Sequence, residues 1–261
     1  MEIKKCNICG LEKPLSADHV PPKCCSNKGT INFYQLFQKN INPDKKPGQA
    51  QKGIYFKTIC EKCNNELLGN QLDPFLGNLQ EQIINATSQC TSLSDDIFVN
   101  IQINKVCRSV IGHLLAAFPH YYDGGIEPEL RNYFLTKSLR KIVGQHLYLW
   151  INNEKKVAIS RNIGIAMDPV FDGSLISLLK FPGAAFMLSN KEIDDNLVDL
   201  FDYTTEDFET TVQITLPLTC IFSKNGEERT IEWPLNVTDE KLFVISPEMA
   251  SKSRFSTLID I

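Results

Sequence analysis

The chain has 261 residues, of which 43% are apolar and 22% are charged, a balance typical of folded globular proteins and not of disordered ones. This length allows one large or two modest domains. No apolar run reaches the ~18 residues that a membrane-spanning helix needs, and the first residues lack the apolar stretch of a signal peptide. We therefore expect a cytoplasmic protein without membrane contact, in which cysteines stay reduced.

The net charge of −4 is distributed unevenly along the chain. Residues 1–80 contain eleven lysines, no arginine and seven acidic residues, a formal charge of +4. The remaining residues contain sixteen basic and twenty-four acidic side chains, a formal charge of −8. A basic unit joined to an acidic one favours a nucleic-acid contact confined to the N-terminal end, although a chance imbalance of this size is also compatible with the sequence.

The first third of the chain predicts a small metal-binding unit followed by two helices. Two C-x-x-C pairs frame this unit, Cys6 with Cys9 and Cys60 with Cys63. Between the pairs, residues 25–53 are rich in Lys, Asn, Gly and Pro, which predicts a long surface loop. Further along we predict a strand over residues 53–59, a helix over 61–68 that ends near Gly69, and a second helix over 73–85.

The rest of the chain predicts a second domain of mixed structure. Two adjoining rows of apolar side chains between Val106 and Phe118 predict a helix that is buried on much of its surface. After Gly144 the pattern changes to strands. We therefore predict an α+β fold with a domain over residues 1–90 and an accessory domain over 91–261. The accessory domain is helical over 104–143 and consists mostly of strands over 146–245, with no topology determined by the sequence.

The two cysteine pairs predict a structural zinc site. A C-x-x-C turn directs two sulfurs toward one ion, and two such turns complete a tetrahedral shell of four thiolates, Cys6, Cys9, Cys60 and Cys63. Soft thiolate ligands favour zinc over magnesium, and four protein ligands leave no position open for a substrate. Such sites contribute on the order of 10 kcal/mol to folding. A redox-active C-x-x-C is the alternative, but it accounts for one pair and not for two.

Asp18, His19 and Asn64 offer the groups that hydrolysis of a phosphodiester needs. The reaction requires an activated water and neutralisation of charge at the phosphate. The Asp18 carboxylate and the Asn64 amide oxygen are hard ligands for catalytic Mg²⁺, with Mn²⁺ or another divalent ion as the alternative. Histidine ordinarily titrates near pH ~6.5, so His19 is the predicted general base.

These motifs together resemble those of the HNH endonucleases. The matching residues are Cys-x-x-Cys, then Asp-His-Val-x-Pro at residues 18–22, then Cys-x-x-Cys-Asn ending at Asn64, and residues 52–64 are similar to the recombination endonuclease VII branch. The resemblance covers about residues 1–70. It implies a ββα-metal nuclease module on a zinc-bound treble-clef core, with Mg²⁺ held by Asp18 and Asn64 and His19 as the base. It also implies DNA as the substrate, and a role in phage defence or mobile-element biology.

Two features depart from the HNH pattern. Many HNH enzymes carry Asn five residues before the third cysteine, where this chain has Tyr55, so support for the His19 loop is unassigned. The insertion at residues 25–53 has no counterpart and is a candidate for substrate selection. Six lysines in and around it are predicted to contact nucleic acid, and these are Lys23, Lys28, Lys39, Lys45, Lys46 and Lys57.

Two other classes of function remain open. A non-catalytic zinc module that binds nucleic acid or protein needs the cysteines but has no use for Asp18, His19 and Asn64 together. An adaptor would use the C-terminal domain as its working part, through a protein partner or a homo-oligomer. The remaining histidines, His113, His120 and His146, show no partner in the sequence and are more typical of structural residues.

Overall fold

The computed structural model has an α+β fold, as the sequence predicts, in which four helices and several antiparallel sheets are formed by the described residues. The described part of the chain comprises residues 3–35, 46, 48–89, 96–153, 156–166, 174–192, 197–218, 243–245 and 257–260.

The N-terminal unit is built on a three-stranded antiparallel sheet. Its strands are β1 (Ile3–Lys5), β2 (Glu12–His19) and β5 (Tyr55–Cys60), in the order β1-β2-β5. The chain turns from β1 to β2 through the first cysteine pair, and Gly10 makes this turn with a positive φ of 70°. Strand β5 leads directly into helix α1 (Lys62–Leu72), so that two strands and a helix surround the second cysteine pair.

Helices α1 and α2 (Asp73–Gln89) form one continuous helical run, so the predicted helix end at Gly69 is wrong. Helix α1 has π-type hydrogen bonding, and the Asp73 N–H donates to the Leu68 carbonyl five residues earlier. Leu68, Leu72 and Leu76 are buried along the run. Their burial outweighs the weak local preference of Gly69 for a helix end, because tertiary packing routinely overrides propensity.

Part of the predicted loop at residues 25–53 forms strands. These are β3 (Ile31–Gln35) and β4 (Gly48–Ala50), which pair antiparallel with each other. Strand β3 also pairs with β14 (Thr257–Asp260), and β14 pairs with β8 (Lys156–Ala166). The insertion of the N-terminal unit is thereby hydrogen-bonded into the sheet of the C-terminal region.

The C-terminal region contains a large antiparallel sheet. Its strands not yet given are β7 (His146–Asn152), β9 (Ser174–Phe181), β10 (Gly183–Ser189), β11 (Val198–Asp199) and β13 (Phe243–Ile245). Among the described residues this sheet has nine strands, eight of them in the order β11-β7-β10-β9-β8-β14-β3-β4, with β13 pairing β8. A separate two-stranded sheet joins β6 (Ile97–Ile101) to β12 (Val212–Leu216).

Helix α3 (Ile103–Ala116) lies at the centre of the core. All of its residues except Lys105 are buried, as the two apolar rows in the sequence predict. It contacts α1, α2 and α4 (Glu127–Leu135). Gly112 permits the closest approach, since a Cβ atom there would lie 2.6 Å from Leu68 and 2.5 Å from Phe134. None of the described helices is both long enough and apolar enough to cross a bilayer.

The N-terminal unit binds the C-terminal end of α3 through hydrogen bonds. The Asn7 amide, between the first two cysteines, donates to the carbonyls of Leu115 (3.1 Å) and Phe118 (2.7 Å). The Thr58 hydroxyl donates to the Ala116 carbonyl. The last carbonyls of a helix have no partner within the helix, and here side chains of the cysteine-bearing unit satisfy them. The two parts of the chain are therefore joined at the end of α3.

Candidate functional site

Four cysteines converge at one corner of the three-stranded sheet. Cys6 and Cys9 lie in the turn after β1, Cys60 is the last residue of β5, and Cys63 lies in the first turn of α1. The turn is closed by hydrogen bonds from Gly10 N–H to the Cys6 carbonyl (2.9 Å) and from Cys6 N–H to the Leu11 carbonyl (3.0 Å). Two local turns, far apart in sequence, therefore present their sulfurs to the same point.

The four sulfur atoms lie within 4.8 Å of one another. Cys9 Sγ and Cys60 Sγ are 3.9 Å apart, and the Cys60 N–H donates to Cys6 Sγ at 3.3 Å. Four thiolates bound to zinc at ~2.3 Å in a tetrahedron would be separated by roughly 3.8 Å. The donor set and its spacing thus fit one zinc ion, with Cys6, Cys9, Cys60 and Cys63 as its ligands. Among the described residues, no other group of three or more His, Cys, Asp or Glu side chains has metal-binding spacing.

The thiol chemistry of the cluster also favours a cation. A hydrogen bond from Cys63 lowers the pKa of Cys6 to about 5, so the cluster stabilises a thiolate there. Donating that hydrogen bond raises the pKa of Cys63, and burial raises the pKa of Cys9. Without a cation, the negative charge of the first thiolate opposes ionisation of its neighbours. A divalent ion would remove this opposition and allow all four sulfurs to bind as thiolates.

The three residues predicted to be catalytic lie where β2 ends and α1 begins. Strands β2 and β5 pair antiparallel, with Asp18 opposite Phe56 and His19 opposite Tyr55. The Asn64 amide, in the first turn of α1, donates to the Ala17 carbonyl (2.9 Å) and the Ser16 hydroxyl (3.1 Å). A helix residue adjoining the cysteine cluster is thereby fixed to the strand beside Asp18. Within the described residues, no hydrogen bond joins the side chains of Asp18, His19 and Asn64 to one another.

The side chains of Asp18 and His19 point to different sides of β2, as neighbours on a strand do. His19 is half-buried, and its Nε2 lies 3.0 Å from the Lys52 carbonyl oxygen. A carbonyl only accepts, so Nε2 carries the proton in this hydrogen bond and the neutral ring has an unprotonated Nδ1. The ring also contacts Tyr55, with centroids 5.9 Å apart. The Lys52 carbonyl thus supplies the support for His19 that the sequence left unassigned.

A buried amide fixes the backbone that carries this carbonyl. Asn27 donates to the carbonyls of Pro21 (2.7 Å) and Ile54 (2.8 Å), and its Oδ1 accepts from the Ile54 N–H (2.8 Å). It therefore joins the segment after His19 to the segment before β5. Gly53 has φ +80°, and a Cβ there would lie 2.6 Å from Asn27 Oδ1, so only glycine fits beside the amide. This arrangement joins the backbone that follows His19 to the backbone that follows Lys52.

The Asp18 carboxylate points into the core, toward a histidine of α3. Asp18 is 3% exposed, and its Oδ2 lies 3.4 Å from Nδ1 of the fully buried His113. The other nitrogen of that ring, Nε2, lies 2.9 Å from Asp73 Oδ1, which also accepts from the Ser109 hydroxyl at 2.9 Å. Ser109 and His113 are four residues apart and share one face of α3. One imidazole therefore bridges a carboxylate of the N-terminal unit and a carboxylate at the start of α2.

The charges in this bridge are strongly coupled. Burial acts to lower the pKa of His113, but the carboxylates of Asp73 and Asp18 outweigh it and raise the pKa to about 10. Burial raises the pKa of Asp18, and His113 acts in the opposite direction. His113 is thus an imidazolium at neutral pH. Asp18 Oδ2 and His113 Nδ1 face each other at 3.4 Å, so this buried carboxylate oxygen is directed at the imidazolium and away from solvent.

Sequence reasoning missed the partners of these residues. Nothing in the sequence links His113 or Asp73 to Asp18, and the available signal was a histidine on a helix with two apolar rows. His146, which showed no partner in the sequence, lies 2.7 Å from Asp199. The lysines predicted to contact nucleic acid are exposed at Lys23, Lys28, Lys46 and Lys57, whereas Lys39 and Lys45 lie outside the described residues.

Comparison with protein-family models, with characterised proteins and with solved structures gives no match for this chain. Its function is therefore inferred from the geometry and chemistry of the site.

Replacing one cluster cysteine tests the zinc site. We expect the parent protein to contain one zinc per chain and Cys9→Ser to lose most of it, because three thiolates bind the ion far more weakly. The unfolding free energy should fall by several kcal/mol, since a complete site contributes on the order of 10 kcal/mol. Elemental analysis and urea unfolding measure the two effects. Cys24→Ser, which changes an exposed thiol outside the cluster, is the matched control. Equal zinc content in the two variants contradicts the assignment.

Replacing His113 tests the buried bridge. His113→Ala leaves the carboxylates of Asp18 and Asp73 buried without their cation, which should cost about 3–5 kcal/mol of unfolding free energy at pH 6. Because folding raises the His113 pKa from 6.5 to about 10, its contribution is complete below pH 6.5 and is lost as the pH rises through about 10. Urea unfolding should therefore show a difference in unfolding free energy between parent and variant that becomes smaller from pH 7 to pH 10. The exposed His120→Ala is the control. If this free-energy difference stays constant from pH 7 to pH 10, His113 is not an imidazolium in the folded protein.

Proposed function

We propose that this protein is a metal-dependent endonuclease of the HNH type that hydrolyses phosphodiester bonds in DNA. The observation that carries the proposal is the half-buried His19, with Nε2 hydrogen-bonded to the Lys52 carbonyl and an unprotonated Nδ1. It lies on a β-strand–β-strand–α-helix unit whose corner holds four convergent cysteines. We also propose that this unit is a treble clef. The antiparallel β2–β5 pair that leads into α1 supports this part of the proposal.

In the proposed reaction, His19 is the general base. Its Nδ1 takes a proton from the water that attacks phosphorus, and the resulting imidazolium keeps its Nε2–H bond to Lys52. This backbone acceptor prevents the ring from changing tautomer or orientation during the transfer. Asn27 and Gly53 support the base indirectly, because they fix the segment that carries the Lys52 carbonyl.

The proposed ligands for a catalytic divalent ion are Asp18 and Asn64. Bound Mg²⁺ or Mn²⁺ would supply charge neutralisation at the phosphate and the leaving oxygen. The donor types fit, since both residues offer oxygen. The Asn64 NH₂ group is engaged by Ser16 and Ala17, which leaves its carbonyl oxygen for a ligand role. Asp18 Oδ2 faces His113, so the proposed ligand atom is the other carboxylate oxygen, Oδ1. His113 holds that carboxylate in place from the core side.

A specific observation favours a second candidate, a zinc module that binds nucleic acid or protein without cutting. Asp18 is buried, and its carboxylate faces the imidazolium of His113. On this alternative, Asp18 serves the fold by joining the N-terminal unit to α3, and the zinc unit presents its basic surface to a partner. The two candidates differ in whether His19 is required for a chemical step.

Plasmid cleavage by a His19 variant tests the nuclease. With zinc-loaded full-length protein and Mg²⁺ or Mn²⁺, we expect His19→Ala to lower the cleavage rate about 10²–10⁴-fold, because the general base is lost. Zinc content and the urea midpoint should stay close to parental values, since His19 is not one of the cysteine ligands and is only half-buried. The measurement is the rate of conversion of supercoiled to nicked and linear plasmid.

His120→Ala is the matched control for this experiment, since it removes an exposed imidazole outside the site. Cleavage by His19→Ala at the parental rate would remove His19 from the mechanism. If the parent binds DNA tightly but leaves it intact with either metal, the non-catalytic zinc module is the better description.

The salt dependence of DNA binding tests the proposed basic surface. Lys23 and Lys57 are exposed on the N-terminal unit. We expect the double variant Lys23→Glu/Lys57→Glu to weaken binding and to flatten the plot of log K against log salt, by roughly one unit of slope per lost phosphate contact. Fluorescence anisotropy at several salt concentrations measures the slope. The control is Arg140→Glu/Lys141→Glu, which reverses two charges of the C-terminal region. If the salt-dependence slope flattens equally in both double variants, the DNA does not bind specifically at Lys23 and Lys57.

A further inference from the structure

The C-terminal region contains a cavity of about 760 Å³ at the end of the large sheet. This volume lies within the range of small-molecule sites, ~300–1,000 Å³. The cavity is lined by the first strand residues of β7, by β11, and by the short helical turn Leu200–Tyr203 that follows β11. Its polar groups are His146, Tyr148, Glu192, Asp199, Asp202 and Tyr203. None of these residues takes part in the proposed nuclease site.

A fixed His–Asp pair lies in the cavity wall. His146 Nδ1 is 2.7 Å from Asp199 Oδ2. Asp199 Oδ1 accepts two backbone hydrogen bonds, from Leu147 N–H (3.1 Å) and from Phe201 N–H (3.0 Å). Both carboxylate oxygens are therefore engaged, and the carboxylate cannot rotate freely. Because Asp199 accepts the Nδ1 proton, the neutral imidazole has an unprotonated Nε2, which is a hydrogen-bond acceptor.

Aromatic faces accompany this pair. The rings of His146 and Tyr148 are stacked, with centroids 5.7 Å apart and planes at 13°. Tyr148 is buried, whereas Tyr203, in the helical turn that follows β11, is 40% exposed. Aromatic faces carry negative electrostatic potential and attract a cation placed over them. The wall is thus suited to a flat or linear positive group.

The rim of the cavity is acidic. Glu192 and Asp202 are exposed lining residues, and neither carboxylate has a hydrogen bond or ion pair with any described residue. Together with Asp199 they give the cavity three carboxylates, and its described lining residues include no lysine or arginine. Such a lining repels phosphate and other anions. It also consists mainly of acceptors, which a ligand rich in N–H donors would satisfy.

We propose that this cavity binds a small organic cation that carries a primary amine or a guanidinium group. A guanidinium has five N–H donors and no acceptor, and an ammonium has three donors and no acceptor. Either matches the carboxylates of the rim, the Nε2 acceptor of His146 and the aromatic faces. Binding of such a cation would be a function in addition to the proposed nuclease activity, and it does not depend on that activity.

Calorimetric titration with agmatine, which carries both an amine and a guanidinium group, tests the proposal on the zinc-loaded full-length protein. We expect saturable binding with one site per chain. Glu192→Gln/Asp202→Asn should weaken it at least tenfold, because these changes remove two charges and keep the side-chain shapes. Glu81→Gln/Glu129→Gln, which neutralises two exposed acids outside the cavity, should bind like the parent. Adenosine and AMP serve as aromatic ligands without a strongly basic group.

Several results would overturn the proposal. These are absence of saturable agmatine binding, equal binding by the two double variants, or binding of adenosine in place of agmatine. His146→Ala separates ligand recognition from a purely structural role of the His–Asp pair. We expect it to weaken agmatine binding at a temperature where circular dichroism shows the variant fully folded. A folded His146→Ala protein that binds agmatine with the parental affinity would restrict His146 to joining β7 and β11, and would contradict the ligand role given to it here.

Discussion

The contact on which the rest of this structure depends is the one between His113 of α3 and two carboxylates, Asp18 from β2 and Asp73 from the start of α2. Burying two carboxylates without a cation would be strongly unfavourable, and burying an imidazolium without anions would be equally so. The three groups are therefore compatible with the core only together. Since they come from three elements, their contact fixes how the cysteine-bearing unit lies on the helical core.

The end of α3 strengthens the same junction by a different interaction. Its last carbonyls are satisfied by side chains of the N-terminal unit, Asn7 from the cysteine turn and Thr58 from β5. Both donors are held next to the cysteine cluster, so a zinc ion there would order the residues that cap the helix. The insertion adds a third connection, because β3 pairs with β14 of the large sheet. The N-terminal unit is thus integrated into the fold and is not attached by a linker.

This integration changes how the proposed active site is to be understood. His19 faces outward from β2 and is oriented by a backbone carbonyl of its own unit, whereas Asp18 faces inward and is held by α3. The proposed base, His19, is positioned within the β2–β5 pair. The proposed metal ligand, Asp18, is held in place by α3 of the C-terminal region. A fragment limited to the motif would keep the cysteines and His19 but would lose the residue that holds Asp18. The acidic cavity lined by β7 and β11 is a separate feature of the same region, opposite in charge to the lysine-rich N-terminal unit.

The sequence by itself determined the features that depend on short spacing. Two C-x-x-C turns predicted the four-cysteine cluster, the strand preceding Cys60 was identified, and two apolar rows predicted the buried helix α3. The α+β class followed from the change of pattern after Gly144. Only the tertiary structure decided the rest. Gly69 does not end its helix because buried leucines on either side outweigh its local preference, and His113 and His146 find carboxylate partners at 40 and 53 residues' separation. Such pairings are set by how elements pack, and a single sequence carries no periodic signal for a contact between one residue and one distant partner.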